Sequence, residues 1–226
     1  MSELMHSRLE FKMPSPYTLA LPRGLKHDRE WPLVMCLHGM GGHHDLMRRW
    51  MGPLLSHPWI FCFPRGPLPF EQRLPDKRRI GYAWYVFDGD QEALRESMQL
   101  SIEHLHNIQD LVRKQYPVGR TAIIGFSQGG YLAPVVAGNA PGRFCAAASI
   151  CGRIKHEFLP SGGGARLAQF SGGRDGSIAP ELASAGAHGA REKGYTVNEH
   201  LDPEAGHEVT PLILEQLRAW LQEVLE

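Results

Sequence analysis

The chain of 226 residues has no excess of charge of either sign: 24 Lys and Arg balance 24 Asp and Glu, for a formal net charge of +0. No run of like charge stands out, so neither nucleic acid nor an anionic membrane surface is expected as a partner. Long hydrophobic runs are missing too. Stretches such as Phe144 to Ile150 are far too short to span a bilayer, so no integral membrane association is expected. The opening residues Met-Ser-Glu-Leu-Met-His lack the apolar core of a secretory signal. Cysteine is scarce, four residues with no Cys-x-x-Cys pair. Cys36, Cys62, Cys145 and Cys151 sit among apolar neighbours, which predicts reduced core thiols in a cytosolic protein and argues against structural zinc. There is no internal repeat, and Ser161-Gly162-Gly163-Gly164 is too short a connector to separate domains. One domain over residues 1–226 is expected, large enough for a sizeable core.

What the chain does contain is a regular alternation. Short apolar runs at 33–37, 59–63, 121–124, 144–150, 166–170 and 195–201 read as buried strands. Helical periods lie between them. From about Gln91 to Tyr116, Leu94, Met98, Ile102, Leu105, Ile108 and Val112 form one apolar stripe, with Asp90 as N-cap and Pro117 as the stop. Further helices are expected over 131–136, about 180–193, and from Thr210-Pro211 onward, an N-cap followed by proline at the first helical position. Two short strands, near Arg8 to Lys12 and Tyr17 to Leu21, are expected to form an antiparallel edge. The alternation predicts a mostly parallel sheet covered by helices on both faces. The 27 residues from Pro64 to Asp90 read as the longest loop.

Gly125-Phe126-Ser127-Gln128-Gly129-Gly130 joins the run at 121–124 to the helical segment at 131–136, which puts Ser127 on a strand-to-helix turn. Gly-x-Ser-x-Gly alone is weak: with this chain's glycine and serine content, chance supplies it in roughly one such chain in seven. Three other motifs also follow strands, where ligand sites of open α/β sheets gather. Leu37-His38-Gly39-Met40-Gly41-Gly42 can present backbone N–H groups, so the amides of Met40 and Gln128 are candidates for an oxyanion hole. Ser171-Gly172-Gly173-Arg174-Asp175-Gly176 and Gly206-His207-Glu208 supply a carboxylate and an imidazole. A serine hydroxyl needs a base as it attacks, and the base needs a carboxylate to fix its tautomer. The order Ser127, Asp175, His207 suits that triad on an α/β-hydrolase scaffold. Asp202 and Glu204, nearer His207 in sequence, are rival acids; the place of Asp175 after a separate strand favours it.

Together with Pro64-Arg65-Gly66 and Gly81-Tyr82-Ala83-Trp84, these strings resemble the phospholipase/carboxylesterase family of small α/β-hydrolases, which includes acyl-protein thioesterases and small bacterial carboxylesterases. The resemblance runs from about residue 31 to the end. It implies an α/β-hydrolase fold and a serine hydrolase, whose triad chemistry calls for no metal or organic cofactor. It makes Ser127 the nucleophile, His207 the base and Asp175 the acid, with the Met40 and Gln128 amides as oxyanion hole. With 226 residues there is little room for a separate lid domain, so an open groove is expected, taking small to medium acyl chains of a small-molecule ester or thioester, or an acyl group borne by a protein. The alternatives are a catalytically silent binding protein on a hydrolase scaffold, or a peptidase or acyltransferase using the same triad.

Other residues have plainer readings. His38 ends a core strand and is expected to be structural. His43-His44-Asp45 would suggest a metal, but adjacent histidines at a helix start point apart. Trp84, Tyr85 and Phe70 are divided between core packing and lining an acyl groove. Arg73, Lys77, Arg78 and Arg79 form a local basic cluster whose default is a solvated face. Asp88-Gly89-Asp90 reads as turn and cap chemistry, not calcium ligation.

Overall fold

The computed structural model describes residues 14–73 and 78–226. Among these residues the strands are β1 (Tyr17–Ala20), β2 (Trp31–Leu37), β3 (Ile60–Pro64), β4 (Leu68–Arg73), β5 (Arg78–Ala83), β6 (Val118–Phe126), β7 (Ala146–Ile150), β8 (Arg166–Gly172) and β9 (Val197–Asp202). Its α-helices are α1 (His44–Trp50), α2 (Gln91–Gln115), α3 (Gln128–Gly138), α4 (Pro180–Glu192) and α5 (Pro211–Leu225). Seven strands form one sheet in the order β1-β3-β2-β6-β7-β8-β9. All neighbours run parallel except β1, which pairs antiparallel with β3 at the edge. The expected strand at Arg8 to Lys12 lies outside the described residues.

Period-two burial on both faces of the central strands splits the core into two layers. Leu33, Met35 and Ile123 face the layer built with α2, α3 and α4; Val34, Cys36 and Ile124 face the layer built with α1 and α5. The apolar stripe of α2 is buried as the sequence predicts. Asp90 caps that helix by accepting from the Glu92 and Ala93 N–H groups, both at 2.8 Å. Thr210 caps α5 by accepting from the Ile213 N–H at 3.2 Å. This is the α/β-hydrolase arrangement, and among the described residues no separate lid domain stands over it.

The stretch from 64 to 90 corrects the reading of a long loop. Within it β4 and β5 pair as an antiparallel hairpin, from Leu68 opposite Ala83 to Arg73 opposite Arg78. The alternation of half-buried and exposed residues along β4 is masked in the sequence by Pro69 and by the polar outward positions. The hairpin stays outside the main sheet and touches it through the loop after β2, where Gly42 bridges Tyr82.

Candidate active site

Ser127 occupies the turn between β6 and α3 with φ 52° and ψ −116°. A non-glycine residue held there stores strain, and such strain persists only where the surroundings over-determine it. The surroundings do so here. The Ser127 N–H donates to the Ile150 carbonyl at 2.8 Å, and the Tyr131 N–H donates to the Ser127 carbonyl at 3.0 Å. Gly125 is required because a Cβ there would run into the backbone carbonyl of Gly129. Although Ser127 sits at the N-cap of α3, its hydroxyl makes no capping bond. That leaves Oγ directed elsewhere.

Oγ meets His207 Nε2 at 2.9 Å. The other ring nitrogen, Nδ1, lies 2.9 Å from Asp175 Oδ2 and 3.1 Å from Oδ1. The Asp175 side chain is 1% exposed and that of His207 27%. The imidazole also packs against the Phe126 ring, centroids 5.0 Å apart. A carboxylate at Nδ1 holds the proton on that nitrogen and leaves Nε2 free to accept from the serine. The rival acids are engaged elsewhere. Asp202 accepts from the Thr210 hydroxyl at 2.6 Å and the Glu204 N–H at 3.1 Å, and the Thr210 bond holds its carboxyl below the usual aspartate range. Glu204 pairs with Arg174 on the surface.

The loop after β2 lies against the serine turn: a Cβ on Gly39 would stand 3.3 Å from Ser127 Cβ. Met40 is 67% exposed, while Gln128 is the first residue of α3, where an amide has no intrahelical acceptor. His38 anchors this loop. Its Nδ1 bonds the Gly39 carbonyl at 2.8 Å, its Nε2 accepts from the Gly66 N–H at 2.9 Å, and its own carbonyl accepts from the Trp84 indole at 2.7 Å. Burial pushes the imidazole pKa down to about 4, so the ring is a neutral structural strut.

A cleft of about 590 Å³ opens over Ser127. Its walls come from Met40, from Leu68, Pro69, Phe70 and Ala83 of the hairpin, from Tyr85, Val86 and Phe87 after it, and from Gln128 and Tyr131 of α3. Phe70 and Tyr85 therefore reach the cleft. Trp84 does not: it is fully buried, with its indole spent on His38. Sequence reasoning also missed the Gln128 side chain. Its Oε1 accepts from the Trp84 N–H and its Nε2 donates to the Tyr85 carbonyl, both at 2.9 Å, stapling the cleft wall to the serine turn. Nothing in the sequence marks that contact, because its two ends lie 43 and 44 residues apart.

Of the basic cluster, Arg73 and Arg78 pair with Glu71 and Arg79 bonds Gln72, while Lys77 lies outside the described residues. Among the described residues, no group of three or more His, Cys, Asp or Glu is placed to hold a metal ion, and no helix is long and apolar enough to cross a membrane.

Residues 25–157 match the model of the family described as Phospholipase/Carboxylesterase. No curated protein matches the sequence. In fold, the chain is similar to esterase PE8 (TM-score 0.76, 20% identity, 95% of this chain and 100% of that one). It is similar to Zea mays acyl-protein thioesterase 2 (0.71, 18%, 93% and 99%). The same holds for the Bacillus cereus carboxylesterase (0.72, 15%, 93% and 94%).

Proposed function

The chain belongs to the phospholipase/carboxylesterase family and is a hydrolase of that class, and we propose that it cleaves carboxylic ester or thioester bonds through a Ser127-His207-Asp175 triad. The observation that carries this reading is the unbroken line of hydrogen bonds from Asp175 through His207 to Ser127 Oγ. Ser127 attacks the acyl carbon as His207 Nε2 takes its proton, and Asp175 stabilises the imidazolium that forms. The Met40 and Gln128 amides hold the tetrahedral oxyanion. His207 then protonates the leaving alcohol or thiol, and water repeats the sequence on the acyl-enzyme. Neither metal nor organic cofactor is called on.

The apolar walls of the cleft support a small to medium acyl group, with Phe70 and Tyr85 as contacts. An acyl group carried by a protein fits the same reading, because no separate lid domain stands over the mouth among the described residues. The whole chain acts as one domain, and its four free cysteines suit a reducing cytosol. The test is labelling by a fluorophosphonate. Wild-type protein is expected to react at Ser127 alone and Ser127→Ala not at all; folded protein that fails to react overturns the scheme.

A further inference from the structure

Two non-glycine residues have positive φ among those described, Ser127 (52°) and Cys151 (47°). They are neighbours. Phe126 and Ile150 pair in the parallel register of β6 and β7, so Ser127 and Cys151 stand side by side, each one residue beyond its strand. The strained serine belongs to the mechanism. The strained cysteine, 1% exposed, has no part in the chemistry proposed above.

Its contacts reach every part of the triad. Before it, the Ile150 carbonyl accepts the Ser127 N–H at 2.8 Å. Its own N–H donates to the Phe170 carbonyl at 2.8 Å, on the strand that leads to Asp175. Its thiol donates to the Glu208 carbonyl at 3.2 Å, with the Gly206 carbonyl at 4.0 Å, so its two acceptors flank His207. After it, the Gly152 carbonyl accepts from the buried Gln169 amide at 3.1 Å, and a Cβ on Gly152 would stand 2.9 Å from the Ser127 carbonyl. Burial pushes the thiol pKa up to about 12, so the sulfur keeps its proton and remains a donor. Glycine would adopt this backbone without strain, but it has no side chain with which to hold the histidine loop.

We propose that Cys151 is a positioning residue: the turn it forms after β7, with its thiol on the carbonyls flanking His207, sets the approach of Nε2 to Ser127 Oγ. The proposal rests on the triad reading above. Its reach is through geometry, since small misplacement of reacting groups is costly in rate.

Three variants test it, read by the second-order rate of fluorophosphonate labelling, by kcat and KM on p-nitrophenyl acetate across pH, and by thermal stability. Cys151→Gly relieves the strain and removes the thiol. Its labelling rate and kcat are expected to fall about tenfold with KM little changed, its Tm to hold or rise, and the acid limb of its kcat profile to move. Cys151→Ser restores a donor and is expected to regain most of the lost rate; Cys151→Ala is not. Labelling of Cys151→Gly within twofold of wild type overturns the proposal, as does a Tm loss with kcat unchanged, or a serine variant no faster than the glycine one. A wild-type protein that does not label at all overturns the triad reading and this proposal with it.

Discussion

Asp175 holds His207 with both carboxylate oxygens, 2.9 and 3.1 Å from Nδ1, and is itself held by the loop that follows it. Oδ1 accepts from the N–H groups of Ser177 at 2.8 Å and Ile178 at 2.9 Å, an Asx turn that fixes the carboxylate independently of the imidazole. The turn is built by Gly176-Ser177-Ile178. Asp202, only five positions from His207 in the chain, spends its oxygens on Thr210 and Glu204.

Asp175→Asn is expected to lower kcat by about 10⁴-fold, because an amide can present N–H to Nδ1 and favour the wrong tautomer. Asp202→Asn is expected to leave kcat within a few-fold and to lower thermal stability through the start of α5. Esterase kinetics beside a melting curve for each variant separates the two carboxylates; equal losses of kcat would reject Asp175 as the sole acid.

Gln128→Leu keeps the backbone amide assigned to the oxyanion but strips two bonds from the cleft wall. We expect kcat on a short ester to be retained within a few-fold and KM for longer acyl chains to rise. Unpairing the Trp84 N–H and Tyr85 carbonyl costs about 1–3 kcal/mol for each group left without a partner. Met40→Ala is expected to be milder still, since its proposed donor is the main chain. A KM series over p-nitrophenyl esters of graded length, with denaturant melts, reads both effects.

His38 makes stability depend on pH. Burial holds the folded imidazole at a pKa of about 4 against the ordinary histidine value of 6.5, so between these values the unfolded chain binds a proton that the folded chain excludes. Its contribution is complete above pH 6.5 and is lost as pH falls toward 4, by about 3 kcal/mol at most. Protonation would also cost the bond accepted from Gly66. Urea melts from pH 7 to 4 should show this loss, and His38→Gln should flatten the curve in that window.

Two glycines give a steric control. Gly125→Ala places a methyl against the Gly129 backbone and is expected to abolish labelling of Ser127 or prevent folding. Gly176→Ala meets nothing within 4 Å and is expected to fold and label as wild type. Comparable expression and labelling of both variants would remove the packing argument for the serine turn.

The central strands and long helices were legible because their residues are buried on one face or two, and burial writes a period into the sequence. The α2 stripe and the Thr210-Pro211 start of α5 are such signals. The hairpin of β4 and β5 was not legible, since β4 turns Pro69, Glu71 and Arg73 outward and β5 exposes Arg78, Arg79 and Ile80 in succession, so neither the charge pattern nor a shared period marks it. The sequence leaves Trp84 and Tyr85 divided between core and cleft because chemical type is visible in a sequence and side-chain direction is not. Trp84 turns inward to His38, while Tyr85 beside it reaches the cleft.

The sequence by itself determined the alternation of strands and helices, the serine on its strand-to-helix turn, and the order of serine, aspartate and histidine at successive strand ends. Those are local matters of residue type and spacing. Only the tertiary structure decided which carboxylate faces His207, which aromatics face the cleft, and that Ser127 and Cys151 lie side by side. Each depends on strand order and register, through which residues up to 80 positions apart come within hydrogen-bond distance. The roles proposed for Ser127 and Cys151 both begin from that register: one strained residue faces the substrate, and the other faces the loop that carries its base.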